Sequence, residues 1–157
     1  MSIRVERLAQ GLMFPEGPAI GPDGDLYVTE IAGQRISKIA EDGTVSTFVD
    51  TGGGPNGAAF NSQGELVVAN NGGRWPTDVP STSQAPKPDF GQGRIQTVTR
   101  EGVVVSELLE IDGISLNSPN DLCFDSYGGY YFTDPEWSGL VGGDRDGGPV
   151  CLSLIHI

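Results

Sequence analysis

The sequence is poor in the residues that most often build thiol, zinc and imidazole sites. It contains only 2 cysteines and 1 histidine in 157 residues. Cys123 and Cys151 supply neither a disulfide framework nor a Cys-x-x-Cys metal site, and no serine triad or phosphate-binding glycine loop is indicated. Cys123 lies in an apolar run, so we expect it to be a small buried residue.

Positive charge and long apolar runs are also scarce. The chain has 9 Lys and Arg against 21 Asp and Glu, giving a formal net charge of −12. This balance argues against nucleic-acid binding, which needs clustered basic side chains. No segment approaches the length of a membrane-spanning helix, and the N-terminus does not resemble a signal peptide. We therefore expect a cytoplasmic protein with no nucleic-acid or membrane partner.

Glycine, by contrast, is abundant, with 24 residues, and many of the glycines belong to a repeat. Each copy starts with a polar residue after a proline, which we call the lead residue. A short apolar strand, a turn glycine eight residues after the lead, and a second apolar strand follow. Fourteen residues after the lead stands a second polar residue. The pairs of lead and second polar residue are Glu16 and Glu30, Asn56 and Asn70, and Asn120 and Asp134.

A second hairpin pattern follows the first two copies, so the repeating unit is predicted to be four antiparallel strands. Residues 34–49 and 93–105 alternate apolar and polar side chains around glycine-containing turns. The first two leads are 40 residues apart, which suits a propeller blade of about 40 to 50 residues. The next interval is longer because of a Gly/Pro-rich insertion at residues 72–91. This insertion is predicted to lie between the second and third strands of a blade, as a pocket wall or a surface excursion.

The repeats amount to about two and a half blades, whereas closed propellers usually have about 4 to 8. We therefore expect residues 1–150 to be the N-terminal part of a single all-β propeller domain, inactive by itself. Residues 151–157 end in Leu-Ser-Leu-Ile-His-Ile, which resembles a translated sequencing adapter. That tail, with His156, is expected to be non-native.

The lead residues are predicted to ring the mouth of the central channel. The residues four positions after them, Ile20, Phe60 and Phe124, are expected to fill the space between blades. One carboxylate and two amides supply hard oxygen ligands, which suit Ca²⁺ better than softer metals. The alternative is that these side chains do no more than cap turns.

Several motifs resemble those of the gluconolactonase and regucalcin family, which includes senescence-marker proteins and luciferin-regenerating enzymes. They are Phe14-Pro15-Glu16-Gly17-Pro18, Pro55-Asn56-Gly57, and Leu116-Asn117-Ser118-Pro119-Asn120-Asp121 with Tyr131-Phe132-Thr133-Asp134-Pro135. The resemblance implies a six-bladed propeller that binds one divalent cation, usually Ca²⁺, with Zn²⁺, Mg²⁺ and Mn²⁺ as alternatives. It also implies a carboxylic ester hydrolase that attacks sugar lactones with water.

The resemblance further assigns roles to individual residues. Glu16 and Asn120 would be metal ligands, and Asp121 would brace Asn120. The residues expected to face substrate are Asn56, Asn70, Ser118 and Asp134. The remaining ligands and the general base would come from later blades. Two other functions stay open on the same scaffold: a calcium-binding propeller without catalysis, and an esterase or organophosphate hydrolase.

Overall fold

A computed structural model describes residues 4–75, 85, 91–135 and 151–155, and its regular elements are strands. Within these ranges no helix is long and apolar enough to span a membrane. The strands are β1 (Pro15–Ile20), β2 (Leu26–Glu30), β3 (Arg35–Ile39), β4 (Val45–Asp50), β5 (Pro55–Phe60), β6 (Leu66–Asn70), β7 (Arg94–Val98), β8 (Val104–Leu108), β9 (Glu110–Ile111), β10 (Ile114–Ser115), β11 (Leu122–Phe124), β12 (Tyr130–Asp134) and β13 (Cys151–Ile155).

The strands form successive antiparallel sheets, which confirms the predicted four-stranded unit. Strands β1 to β4 form one sheet in sequence order, and β5 to β8 form the next. A third sheet contains β11, β12 and β13. We call these sheets blades 1, 2 and 3. The two-residue strands β9 and β10 form a separate hairpin between blades 2 and 3, which the sequence did not predict.

The first hairpin of each blade is closed by a tight turn at the end remote from the lead residue. In blade 2, the Asn61 side-chain oxygen accepts the backbone N–H groups of Gln63 and Glu65 at 3.0 and 2.9 Å. In blade 3, Asp125 does the same for Tyr127 and Gly129 at 2.8 and 3.0 Å. These short polar side chains replace backbone partners that the turn cannot supply.

Two apolar clusters hold the three blades together. The cluster between blades 1 and 2 contains Tyr27, Ile36, Val49, Leu66, Val68 and Val98. The cluster between blades 2 and 3 contains Val67, Ala69, Ile95, Leu116, Leu122, Tyr130 and Phe132. Strands β5 and β6 of blade 2 therefore send alternate side chains to opposite neighbours, as the two-residue period of a strand requires.

The predictions that Ile20 and Cys123 are buried are both wrong. Both errors arise because successive side chains of a strand point to opposite faces of the blade. Residues four positions after the lead face the preceding blade: Phe60 packs toward blade 1 and Phe124 toward blade 2. Ile20 faces the side of blade 1 away from blade 2, where it is 67% exposed. Residues three positions after the lead face the following blade, so Cys123 is exposed on the far side of blade 3.

The insertion lies where the sequence predicts it, because β6 ends at Asn70 and β7 begins at Arg94. Its base is closed by a hydrogen bond from the Gly91 N–H to the Gly72 carbonyl oxygen at 2.9 Å. Most of the insertion lies outside the described residues, as does His156. The backbone of β13 pairs with β12 from Asp134↔Cys151 to Tyr130↔Ile155. The non-native origin of residues 151–157 stays a prediction.

Candidate metal and substrate site

The three lead residues meet at one end of the blades, as the repeat predicts. They line a single polar cavity of about 330 Å³ together with Gly17, Pro18, Gly57, Ala58, Asp121 and Leu122. Glu16 and Asp121 are exposed there, Asn120 is half-buried, and Asn56 is only 9% exposed. The cavity is therefore an open mouth. The three leads, one from each blade, bring one carboxylate and two amides to it, and Asp121 brings a second carboxylate.

A direct hydrogen bond joins two of the leads. The Asn56 side-chain N–H donates to Asn120 Oδ1 at 2.9 Å. In this arrangement the Asn120 amide presents its oxygen, and not its nitrogen, to Asn56. The Asn120 oxygen keeps a second lone pair with which it can bind another group.

The backbones of the leads are also linked from blade to blade. The Thr29 hydroxyl donates to the Asn56 carbonyl oxygen at 2.5 Å, and Thr29 is fully buried. The Gly57 N–H donates to the Asn120 carbonyl oxygen at 2.6 Å. Sequence reasoning did not single out Thr29, although a Thr stands before the second polar residue in the first and third copies.

The glycine after each of the first two leads permits this close approach. Gly17 has φ of +43°, and a Cβ atom there would collide with the Asn56 carbonyl oxygen. A Cβ atom on Gly57 would lie 2.6 Å from the Asp121 Cα atom. Both strands carry a bulge just after the lead, a feature that bends a strand and redirects its side chains.

The donor set fits a hard cation but does not complete its coordination. Ca²⁺ takes about 6 to 8 oxygen ligands, from carboxylates, amides and water. Glu16 and Asn120 offer a carboxylate and an oriented amide oxygen at one cavity. Within the described ranges there is no group of three or more His, Cys, Asp or Glu side chains that could hold a metal. The residues present therefore fit part of an oxygen-rich site.

The second polar residues lie beside the leads but have partners of their own. In blade 1, Glu30 is fully buried and accepts hydrogen bonds from Arg35 Nε at 2.8 Å, the Ser37 hydroxyl at 2.5 Å and the Met13 N–H at 2.6 Å. Burial by itself would raise the pKa of Glu30. The hydrogen bonds from Arg35, Ser37 and Met13 outweigh it, so the pKa lies below its usual value of 4.5. Glu30 is thus held as an anion.

We expect the free energy of unfolding to fall as the pH is lowered below about 4.5. The Glu30 pKa is depressed, and a hydrogen bond from Lys38 lowers the pKa of Asp23 from 3.8 to about 2. A depressed carboxyl pKa stabilises the fold above the unfolded-state pKa, and that stabilisation is lost as pH falls through the folded-state value. Urea unfolding at pH 6, 4 and 3 measures the loss, which should be smaller in Glu30→Gln. Equal pH dependence in both proteins would contradict the role given to Glu30.

In blade 2, Asn70 uses its whole amide inside the protein. Its Oδ1 accepts the N–H groups of Gly54 and Gly72 at 2.8 and 3.0 Å. Its Nδ2 donates to the Gly52 carbonyl oxygen and to Gln96 Oε1, both at 2.9 Å. Asn70 is fully buried, so any substrate contact would have to replace one of these bonds. Its substrate role stays a prediction.

In blade 3, Asp134 and Ser118 also bind the protein itself. Asp134 accepts the Asn117 N–H at 2.9 Å and the Ser118 N–H at 2.6 Å. The fully buried Ser118 donates its hydroxyl to the Pro135 carbonyl oxygen at 2.6 Å. The Asp121 carboxylate accepts the Leu122 N–H at 2.8 Å, and the described hydrogen bonds give it no direct bond to Asn120. The substrate roles of Ser118 and Asp134 and the bracing role of Asp121 stay predictions.

A larger cleft of about 520 Å³ lies at the opposite end of blade 1. It is lined by Leu8, Ile20, Asp23, Gly24, Asp25, Leu26, Ile39, Ala40, Glu41 and Gly43. No lead residue contributes to it, and it lies beside the uncovered side chain of Ile20. This cleft is larger than the cavity lined by the leads. We nevertheless take the lead cavity as the candidate functional site, because equivalent positions of the repeat converge there.

Comparison with known proteins agrees with the motifs in this mouth. The model of the SMP-30/gluconolactonase/LRE-like region matches residues 14–152. The chain belongs to this family. The matched region contains all three leads and all three second polar residues, so the family assignment rests on the same strands that build the cavity.

Individual relatives give the same result. The chain is 27% identical over 151 residues to a gluconolactonase from Zymomonas mobilis subsp. mobilis, covering 87% of this chain and 37% of that protein. It superimposes on a gluconolactonase from Xanthomonas campestris with a TM-score of 0.64 and 29% identity, covering 82% of this chain and 37% of the other. A calcium-binding regucalcin from Agrobacterium tumefaciens shares the fold, with a TM-score of 0.57, 15% identity, and coverage of 84% and 40%. The sheets are thus blades of a β-propeller.

The family members are longer than this chain, which spans just over a third of the length of both gluconolactonases. We use "full-length protein" below for a protein of the length of these relatives that would contain these residues.

Proposed function

We propose that the full-length protein is a cation-dependent hydrolase of sugar lactones and that residues 1–150 form part of its propeller. The observation that carries this proposal is the convergence of Glu16, Asn56 and Asn120 in one polar cavity. Membership of the gluconolactonase family supports the reaction type. Both features concern the same residues, which makes this function the best supported.

In this proposal Glu16 and Asn120 hold the divalent cation, and the all-oxygen donors favour Ca²⁺. When bound, the cation supplies Lewis acidity toward a carbonyl oxygen. The hydrogen bond from Asn56 keeps the Asn120 oxygen directed as an acceptor. The bond from Gly57 fixes the Asn120 backbone. These contacts preorganise the ligands, so less free energy is needed to order them on binding.

Asn56 is the residue of this chain that we propose to contact substrate. Its amide uses one N–H on Asn120, and an amide carries a second N–H and a carbonyl oxygen. Such a group can donate to and accept from the hydroxyl groups of a sugar lactone. A general base for the attacking water is expected from residues outside this chain, since none of the described residues is assigned that role.

Removing divalent cations from the full-length protein is expected to lower its hydrolysis of glucono-1,5-lactone by more than tenfold. Restoring Ca²⁺ should recover the rate, because the cation would stabilise the charge that develops on the carbonyl oxygen. A proton-release assay before and after chelation measures this directly. Parallel additions of Zn²⁺, Mg²⁺ and Mn²⁺ identify the preferred ion.

Other outcomes of the same assay separate the alternatives. If Ca²⁺ raises the Tm of the full-length protein while no lactone or ester is hydrolysed, the propeller is a calcium-binding protein without catalysis. If a phosphotriester is hydrolysed and lactones are not, the scaffold carries a different hydrolase. Lactone hydrolysis that survives complete removal of metal would overturn the proposed role of the cation.

A further inference from the structure

The second polar residues share one contact that the resemblance does not account for. In each blade, this side chain accepts a backbone N–H from the segment just before the lead residue. Glu30 accepts from Met13, and Asn70 accepts from Gly54. Asp134 accepts from both Asn117 and Ser118. The amides that are bound stand two or three positions before the lead.

The strand register explains why the spacing of fourteen residues is kept. Pro15 lies opposite Glu30 across β1 and β2, and Pro55 lies opposite Asn70 across β5 and β6. The second polar residue is thus beside the proline that precedes the lead. From there its side-chain oxygen can reach the backbone N–H groups two or three positions before the lead, which lie outside the strands. Both a carboxylate and an amide can fill this place, because either provides an oxygen acceptor.

We propose that Glu30, Asn70 and Asp134 are positioning residues, which fix the turn before each lead and thereby the lead side chain in the mouth. This inference rests on the proposed cation site and deepens it. In this inference Asn70 positions Asn56, and Asp134 positions Asn120. Neither Asn70 nor Asp134 then needs to contact substrate. It also adds Glu30, which no motif had assigned to the site.

Blade 3 shows the path from positioning residue to lead. Asp134 holds the amides of Asn117 and Ser118, which precede Asn120 by three and two residues. The Asn120 N–H donates to the Thr133 carbonyl oxygen at 2.9 Å, and its own carbonyl oxygen accepts the Gly57 N–H. A turn released from Asp134 would therefore move Asn120 and weaken the Gly57 bond in the neighbouring blade.

The same hairpin offers a matched control at its other end. The Asp125 carboxylate also accepts two backbone N–H groups, from Tyr127 and Gly129, in the turn between β11 and β12. Asp134→Ala and Asp125→Ala each remove one carboxylate that binds two amides. Only Asp134 binds the segment that precedes the lead Asn120. Asp134→Asn restores an oxygen acceptor, and it provides a second variant should Asp134→Ala fail to fold.

The test measures Ca²⁺ affinity by calorimetric titration of the metal-free full-length protein, together with hydrogen exchange of the Gly57 amide. We expect Asp134→Ala to weaken Ca²⁺ binding by about 10- to 100-fold, the range for losing a group that supports a metal ligand. The Gly57 amide should exchange at least about tenfold faster in the absence of metal. Asp125→Ala should change both values by less than about twofold while lowering the Tm, and Asp134→Asn should recover part of each loss.

Hydrogen exchange separates the failure of this inference from failure of the proposed function. If the wild-type protein binds no Ca²⁺, the cation site is wrong, but faster Gly57 exchange in Asp134→Ala alone still supports positioning. If Gly57 exchange is unchanged in Asp134→Ala, or if Asp125→Ala raises it equally, the positioning role is overturned whatever the metal result.

Discussion

Replacing Glu16 with Gln in the full-length protein is expected to remove most of its affinity for Ca²⁺ and most of its lactone hydrolysis. Gln keeps the size of the side chain and one oxygen, but it lacks the charge that a divalent ion favours. Losing a supporting group costs about 10- to 100-fold in affinity. Glu16 is the one charged side chain among the three leads of blades 1, 2 and 3, so its loss should cost more. Calcium titration and the initial rate of proton release measure the two effects.

Glu41→Gln is the matched control for this variant. Glu41 is an exposed glutamate on the same blade, but it lines the cleft at the opposite end. Its replacement should leave affinity and rate within about twofold of wild type. A Glu16→Gln protein that binds Ca²⁺ with wild-type affinity would refute the assignment of Glu16 as a ligand. Loss of activity with normal Ca²⁺ binding would instead place Glu16 in the reaction itself.

Replacing Glu30 with Ala is expected to lower the free energy of unfolding by about 3 kcal/mol, the lower end of the range for breaking a buried ion pair. The change leaves the Arg35 guanidinium, the Ser37 hydroxyl and the Met13 N–H without their acceptor. The lower end applies because the Arg35 side chain is 28% exposed and regains water. Urea unfolding at pH 7 measures the loss.

Asp23→Ala provides the comparison, since Asp23 also pairs with a cation on blade 1. Its bond to Lys38 is short, at 2.6 Å, but both side chains are about a third exposed, at 39% and 31%. Solvent-exposed pairs contribute about 0 to 1 kcal/mol. Similar losses in Glu30→Ala and Asp23→Ala would show that burial of Glu30 does not set its contribution.

Much of the fold was predictable because the turn glycines and the strand period occur in fixed register. The copies headed by Glu16, Asn56 and Asn120 predicted hairpins, and all three hairpins form. The failures at Ile20 and Cys123 have a physical reason. Alternation assigns a side chain to one face of a blade, but a face becomes core only when another blade covers it. The local sequence predicts the face to which a side chain points, but not whether another blade covers that face.

The position of the candidate site was predictable from the sequence, but most of its hydrogen bonds were not. Equal positions in a repeat converge in space, so the meeting of Glu16, Asn56 and Asn120 followed from spacing alone. The bond between Asn56 and Asn120 did not follow, because it depends on how closely two blades approach at Gly57. The sequence also could not predict the internal hydrogen-bond partners of Asn70 and Asp134, since an Asn or Asp at a strand end can face either substrate or a neighbouring turn.

The tight turns at the far end of each first hairpin have a practical consequence. In blade 3 the five-residue strand β12 separates the turn from the end of the hairpin that carries the lead, a length of roughly 17 Å. Tyr127, which is 89% exposed, lies in one of these turns. A fluorescent label or a tether to a solid support attached there would leave the mouth open to solvent, so immobilised protein should retain access to small molecules.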